Sequence, residues 1–205
     1  MSKLKVYHVG RSRSLRALWL LEELGLPYDV EKLEFLPGNF GGDAYTKIHP
    51  LNKVPALEDG EMVMSESIAI MQYIMNKYGA GHLRPETDSP EYGPYLQWLH
   101  YGESSLAPIV VNLMYQRHFF KPEQRSESID IWAQKELSKY LSILEDQLGD
   151  HDYILESGFS AADISIGYTL LLIRLAQAKE QITPRIEKYW KTLTARDSWK
   201  KVSEI

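Results

Sequence analysis

NKVPALEDGEMVMSESIAI, residues 52–70, carries three local signals in immediate succession. Asp59-Gly60 separates two short apolar runs, Val54 to Leu57 and Met62 to Met64, and an Asp-Gly link between such runs is a strong short-range hairpin signal. Pro55 has no backbone donor, so the strand it opens is expected to lie at a sheet edge or to begin at that residue. The Val54-Pro55 bond is a candidate cis peptide. After the hairpin, Ser65-Glu66-Ser67 leads into the helical pattern Ile68 to Ile74, which closes at Lys77-Tyr78-Gly79 with a basic residue and a stop glycine. The stretch therefore predicts an extended backbone beside a helix N-terminus bearing one acid and one hydroxyl.

Such an arrangement suits a small zwitterionic peptide. Extended backbone next to Pro55 can pair with a peptide backbone, and the free N–H groups at a helix start attract a carboxylate. The Ser67 hydroxyl adds a donor, and the Glu66 carboxylate can take a ligand ammonium group. Taken alone, the same residues also read as an ordinary helix start with Ser65 as the N-cap.

Upstream, Lys3 to His8 alternates polar and apolar residues and predicts a first strand with Leu4 and Val6 inward and Tyr7 facing the other way. Val9-Gly10-Arg11-Ser12-Arg13-Ser14 is a polar turn. The helix after it runs through Leu15, Leu18, Trp19 and Leu21 and stops at Gly25-Leu26-Pro27. Tyr28 to Leu33 reads as a second strand, and Pro37 to Tyr45, with Gly38, Gly41 and Gly42, as an irregular connection holding a short helix. The order through Gly79 is β-α-β-α-β-β-α. A Gly- and Pro-rich linker spans Ala80 to Pro90, and only helical patterns follow it, so the expected domains are residues 1–80 and 89–205. In the second, Ser89-Pro90 opens a helix through Tyr95, Trp98 and Tyr101 that Pro108 should kink or end. Ile129, Ala133, Leu137, Tyr140, Leu141, Leu144 and Leu148 trace one stripe of a half-exposed helix. The helix from Ser160 to Ala176 is apolar almost all round; it begins with a capping box, Ser160 with Asp163, and a staple pair, Phe159 with Ile164. Thr183-Pro184 opens a further helix.

The chain has 205 residues, 44% of them apolar, which is enough for a real core without staples. It has no cysteine, which removes disulfides, thiolate metal sites and a cysteine nucleophile together. The six histidines show no i, i+4 pair of the kind a helical metal site needs, so no metal is expected. A net charge of −5 argues against nucleic acid as a partner. The lack of a long apolar run and the direct start in a strand pattern argue against a membrane and for a cytoplasmic protein.

Four pieces in this order resemble the cytosolic glutathione transferases, in particular the serine-type bacterial, fungal and theta-like groups. They are Ser12 to Arg16 before Leu18 to Gly25, His49 to Pro55, Ser65 to Ile70, and Phe159 to Ile164. The resemblance implies a thioredoxin-like α/β N-terminal domain that binds glutathione, an all-helical C-terminal domain that shapes the electrophile pocket, and a homodimer. It also implies that glutathione enters as a co-substrate beside a small electrophile, with no permanently bound cofactor. Residue by residue, Ser12 matches the serine that hydrogen-bonds the glutathione sulfur, with Ser14 and Tyr7 as rivals. Val54 matches the residue whose backbone pairs with the cysteinyl unit, Glu66 and Ser67 the γ-glutamyl pair, and Lys53 a residue near the glycyl carboxylate. His49 departs from the pattern, where asparagine is usual.

A cysteine thiol has a pKa of about 8.5, so ionising it at neutral pH needs a shift of about two units, roughly 2.7 kcal/mol in favour of the anion. A hydroxyl at a helix N-terminus with Arg11 or Arg13 nearby can supply it. Tyr101, Ser105 and Tyr115 are candidates for the electrophile pocket, although aromatic residues at that spacing also suit a core. Peroxidase or isomerase chemistry on the same thiolate, and a non-catalytic module of the same fold, are the alternative functions.

Overall fold

The computed structural model describes residues 3–34 and 40–205, which divide into two compact units. The first comprises residues up to 83 together with 196–205, and the second residues 84–195. Pro37 and Gly38 of the expected connection lie outside the described residues.

The first unit is built on strands β1 (Leu4–His8), β2 (Tyr28–Lys32), β3 (Ala56–Asp59) and β4 (Met62–Ser65), in the sheet order β2-β1-β3-β4. β1 runs parallel to β2, with His8 opposite Lys32, and antiparallel to β3, with Tyr7 opposite Ala56. The expected hairpin forms, but its two-residue turn is Gly60-Glu61 and not Asp59-Gly60, because Asp59 pairs with Met62 as part of the ladder; Gly60 has φ +63°, a conformation that costs glycine little. Asp59 itself is the last residue of β3. Its buried carboxylate accepts hydrogen bonds from Tyr73 Oη and Lys77 Nζ, both at 2.6 Å, and so ties the hairpin to the helix that follows it. β3 lies inside the sheet, and its ladder begins at Ala56, so Pro55 sits just before the first paired residue, where a missing donor leaves no gap.

The helices of this unit are α1 (Ser14–Glu23), α2 (Gly42–Thr46) and α3 (Ser67–Tyr78). α1 ends in a Schellman arrangement: Gly25 at φ +62° donates to the Glu22 carbonyl at 3.1 Å, and Leu26 donates to Leu21 at 3.0 Å. α1 packs on β1 and α3, and residues Ser14 through Leu21 are all buried. Tyr7 projects from the other face of the sheet into a cluster with Tyr45, Ala56, Ile48 and Val54. The unit has the thioredoxin-like order expected of it.

Residues 196–205 correct the expected boundary of 89–205, because α9 (Asp197–Ser203) belongs to the first unit and packs on α1. Trp199 lies 4.7 Å from Trp19, and Arg196 makes two 2.7 Å bonds to the Glu23 carboxylate, which Ser198 also donates to. These partners hold the Glu23 carboxyl below its usual range against the opposing effect of burial. The contact spans more than 170 positions of sequence, which is why local pattern could not reveal it.

The second unit contains α4 (Tyr92–His100), α5 (Ala107–Met114), α6 (Glu127–Leu148), α7 (Ala161–Leu175) and α8 (Pro184–Thr194). The kink or end expected at Pro108 takes the form of an interruption just before it: the chain widens into a π-helical turn at Tyr101–Leu106 and α5 restarts with Pro108 in its first turn, where its missing N–H is not needed. Gly102 in that turn lies against α7. A Cβ there would stand 2.6 Å from Ser165 Oγ and 2.8 Å from the Ser165 carbonyl, and Thr169 Oγ1 donates to the Gly102 carbonyl at 2.9 Å. α6 buries Ala133, Leu137, Leu141, Leu144 and Leu148 and leaves Ile129 exposed. α7 is buried almost all round and opens with the expected capping box. α8 starts as expected, with Thr183 Oγ1 accepting from the Ile186 N–H at 3.3 Å.

Candidate active site

The turn between β1 and α1 places Ser12 half-buried, one residue ahead of the helix's N-cap, Arg13. Neither serine there is a simple cap. Ser12 Oγ lies 2.6 Å from Ser14 Oγ, and Ser14 Oγ lies 2.8 Å from Nδ1 of His8, so three side chains form one hydrogen-bonded chain. Ser14 is fully buried and Ser12 forms the exposed end. His8 is 1% exposed at the end of β1, and burial, aided by the positive charge of Lys32 across the parallel ladder, lowers its pKa to about 4. It is therefore a neutral imidazole at pH 7, with one proton for two ring nitrogens. Arg13 is half-buried beside Ser12, and Arg11 is exposed with φ +60°.

Tyr7 is directed elsewhere. Its hydroxyl donates to the Glu58 carboxylate, which Lys5 Nζ also meets at 2.7 Å, and burial raises its pKa above the usual tyrosine value. Strand alternation puts Tyr7 on the opposite sheet face from His8, the residue that connects to Ser14 and Ser12.

On the other side of β1, Val54 joins Pro55 through a cis peptide just ahead of β3. Tyr45 from α2 donates its hydroxyl to the Lys53 carbonyl at 2.6 Å and fixes the approach to this bond. The Lys53 side chain is exposed. Asn52 has φ +51°, with its side-chain amide bonded to the Gly42 carbonyl and to Thr46 Oγ1, and His49 Nδ1 accepts from the Leu51 N–H at 3.3 Å. His49 thus takes part in the loop through its acceptor nitrogen.

Ser65 is the last residue of β4 and pairs with Ala56, so it is not the cap of α3. The cap position falls to Glu66, which has φ +71° and ψ 105°, strained for a residue with a Cβ, and whose side chain makes no capping bond. The first N–H groups of α3 thus stand ready for an acceptor. Ser67 is 4% exposed, and its Oγ accepts from Arg16 Nη1 at 3.3 Å, which leaves the hydroxyl proton free to point outward. The fully buried Arg16 adds a positive charge beneath the same helix start. It is a residue whose role the sequence pattern does not mark.

Of the electrophile-side candidates, Tyr101 is half-buried, packs between Trp98 and Tyr140 at 4.7 and 5.7 Å, and donates to the Tyr140 carbonyl at 3.1 Å. Its hydroxyl therefore serves the interior of the helical unit. Ser105 lies in the π-helical turn, and Tyr115 is 43% exposed with Phe119 and Phe120 against its ring at 5.3 and 5.4 Å. Among the described residues no group of three or more His, Asp or Glu could hold a metal, and no helix is long and apolar enough to cross a membrane.

A four-stranded sheet in the order β2-β1-β3-β4 with its helices, followed by an all-helical unit, defines the class: a thioredoxin-like fold with a helical second unit. Residues 2–76 match the model for the glutathione S-transferase N-terminal domain and residues 115–199 that for the C-terminal domain. Glutathione S-transferase theta-3 of Mus musculus is 30% identical over 174 residues, covering 78% of this chain and 69% of that protein. Glutathione S-transferase 3 of Schizosaccharomyces pombe is 26% identical, covering 97% of this chain and 86% of that protein. A glutathione transferase from Phanerochaete chrysosporium, solved in complex with oxidized glutathione, superposes with a TM-score of 0.82 at 25% identity, covering 99% of this chain and 96% of that one. The chain belongs to the glutathione S-transferase family.

Proposed function

We propose that this protein is a glutathione transferase of the serine type, which conjugates the thiolate of glutathione to small hydrophobic electrophiles. The observation that carries the reading is the Arg16 to Ser67 hydrogen bond of 3.3 Å. It joins the helix that begins just after Ser12 to the uncapped start of α3, so the sulfur end and the γ-glutamyl end of one small peptide fall within one continuous part of the first unit. In this reading the α3 N–H groups and Ser67 take the γ-glutamyl carboxylate, Glu66 takes its ammonium group, and the Val54 backbone pairs with the cysteinyl unit. Lys53 and Arg13 supply positive charge at the edges. Ser12 donates to sulfur, as an oxyanion-hole donor does to oxygen, and no acid or base residue is required. Glutathione is the co-substrate, and the helical unit supplies the electrophile pocket, with Tyr115 the best presented of its three candidates.

Titration calorimetry tests the peptide side. Glu66→Ala and Ser67→Ala should each weaken glutathione binding by roughly ten- to a hundred-fold, the loss of one charge-assisted hydrogen bond of about 1.5 to 3 kcal/mol. Parental affinity in both variants removes the site. Conjugation, peroxide reduction and isomerisation measured side by side separate the transferase from its alternatives.

The homodimer and the cytoplasmic location belong to the same proposal and rest on the resemblance. Leu51, 76% exposed on the loop before Pro55, is an apolar residue that a second copy would cover. Sedimentation at micromolar concentration should give twice the chain mass, and a monomer would remove this part of the reading.

A further inference from the structure

His8, Ser14 and Ser12 form a chain whose direction can be worked out from its donors. Each hydroxyl owns one proton, and the neutral imidazole owns one between two nitrogens. If Nδ1 of His8 is bare, Ser14 donates to it and then accepts from Ser12 across 2.6 Å, so the Ser12 proton points inward. If Nδ1 carries the proton, Ser14 accepts from His8, its own proton turns to Ser12, and the Ser12 proton is left to point outward. The second order also brings the Ser14 backbone N–H, 3.4 Å from Ser12 Oγ, onto an oxygen that is already acting as an acceptor. The tautomer of one buried histidine thus decides whether Ser12 can donate to a ligand at all.

The other ring nitrogen favours the outward order. His8 Nε2 is buried and has no hydrogen-bond partner among the described residues. A buried orphan N–H is rarer than a buried orphan acceptor, so the proton belongs on Nδ1, where Ser14 can take it. The lowered pKa of His8 keeps the imidazole neutral across the physiological range, so the tautomer is a fixed property of the fold.

We infer that His8 and Ser14 are positioning residues for thiol activation: the chain His8 Nδ1–H to Ser14 Oγ–H to Ser12 Oγ–H orients and polarises the Ser12 hydroxyl toward the glutathione sulfur. The inference rests on the reading of Ser12 as the sulfur donor. Donors in series polarise one another, so the last proton binds an anion more strongly than an isolated hydroxyl would.

Three readouts test it on the full chain saturated with reduced glutathione. Nitrogen-15 NMR of histidine-labelled protein should place the His8 proton on Nδ1, with no variant needed. Titration of thiolate absorbance should show the bound thiol pKa raised by about half a unit to one unit in Ser14→Ala and His8→Phe, less than in Ser12→Ala. Glutathione affinity should change little. His8→Asn keeps an amide N–H near the Nδ1 position and Ser14→Thr keeps the hydroxyl, so both should recover most of the shift. A proton on Nε2, or parental pKa values in Ser14→Ala and His8→Phe beside a shifted Ser12→Ala, overturns the relay while the glutathione reading stands. If Ser12→Ala does not shift the pKa, or glutathione does not bind, that reading fails and the relay with it.

Discussion

Ser12→Ala should raise the pKa of bound glutathione by about one to two units, because the proposed charge-assisted hydrogen bond to the thiolate, roughly 1.5 to 3 kcal/mol, is lost. At neutral pH the thiolate fraction then falls by about ten-fold, and turnover falls with it, since the thiolate is the nucleophile. Glutathione affinity should hold nearly constant, because in the proposed site the peptide is held by Glu66, Ser67 and the Val54 backbone and not through the hydroxyl. Raising the pH should restore most of the lost rate, which a misfolded or misaligned site would not allow. The measurement is thiolate absorbance against pH, read beside kcat/KM over the same range. Tyr7→Phe is the control: its hydroxyl is bonded to Glu58 on the other sheet face, so it should leave the thiol pKa at the parental value. A shift in Tyr7→Phe without one in Ser12→Ala would reverse the assignment.

The largest stability effect is expected at Asp163, in the helical unit. Its carboxylate accepts four hydrogen bonds: from the Ile154 N–H at 2.9 Å, Tyr189 Oη at 2.8 Å, the Ser160 N–H at 2.8 Å and Ser160 Oγ at 3.2 Å. One side chain thus closes the capping box of α7, holds the loop at Ile154 and anchors α8. Asp163→Ala strands two buried backbone donors and the fully buried Tyr189 hydroxyl, at about 1 to 3 kcal/mol each. Part of that is offset because a buried charge is no longer desolvated, so the expected loss is about 3 to 5 kcal/mol, a large share of an ordinary domain's stability. Burial raises the Asp163 carboxyl to about 6 from 3.8, against the four bonds that favour the anion. The folded state therefore binds this proton more tightly than the unfolded state. Its contribution to stability appears as pH falls through 6 and is complete below 3.8. The gap between parent and Asp163→Ala should widen by about 1 kcal/mol between pH 7 and pH 5. Urea denaturation at the two pH values measures it, and a gap that narrows with acid would refute the argument.

Much of the fold was legible in sequence because its signals are local. Gly60 gives the hairpin turn a backbone conformation few residues adopt, Gly25 stops α1 at φ +62°, and Ser160 with Asp163 caps α7 across three residues, whereas Gly79 keeps a helical φ of −81° and the left-handed position after α3 falls on Ala80. The buried stripe of α6 and the all-round burial of α7 follow from helical period alone. The candidate site's local placement was legible for the same reason, since Ser12 sits in a turn and Glu66 with Ser67 at a helix start.

What sequence by itself determined, then, was the order of elements, the two-part division into a β-α segment and a helical one, and the residue types at the turn and the helix start. Tertiary structure alone decided which of those residues work together. Tyr7 and Ser12 are five positions apart, yet strand alternation sends one hydroxyl to Glu58, while His8 and the turn bring the other to Ser14. Arg16 reaches Ser67 across 51 positions, and Glu23 takes Arg196 across 173, which moves the last helix out of the helical unit and onto α1. Local pattern reports what a segment does to its own backbone. Hydrogen-bond partners distant in sequence are chosen by which buried polar groups the packed fold brings within reach of one another, and that choice exists only once the sheet and helices have assembled.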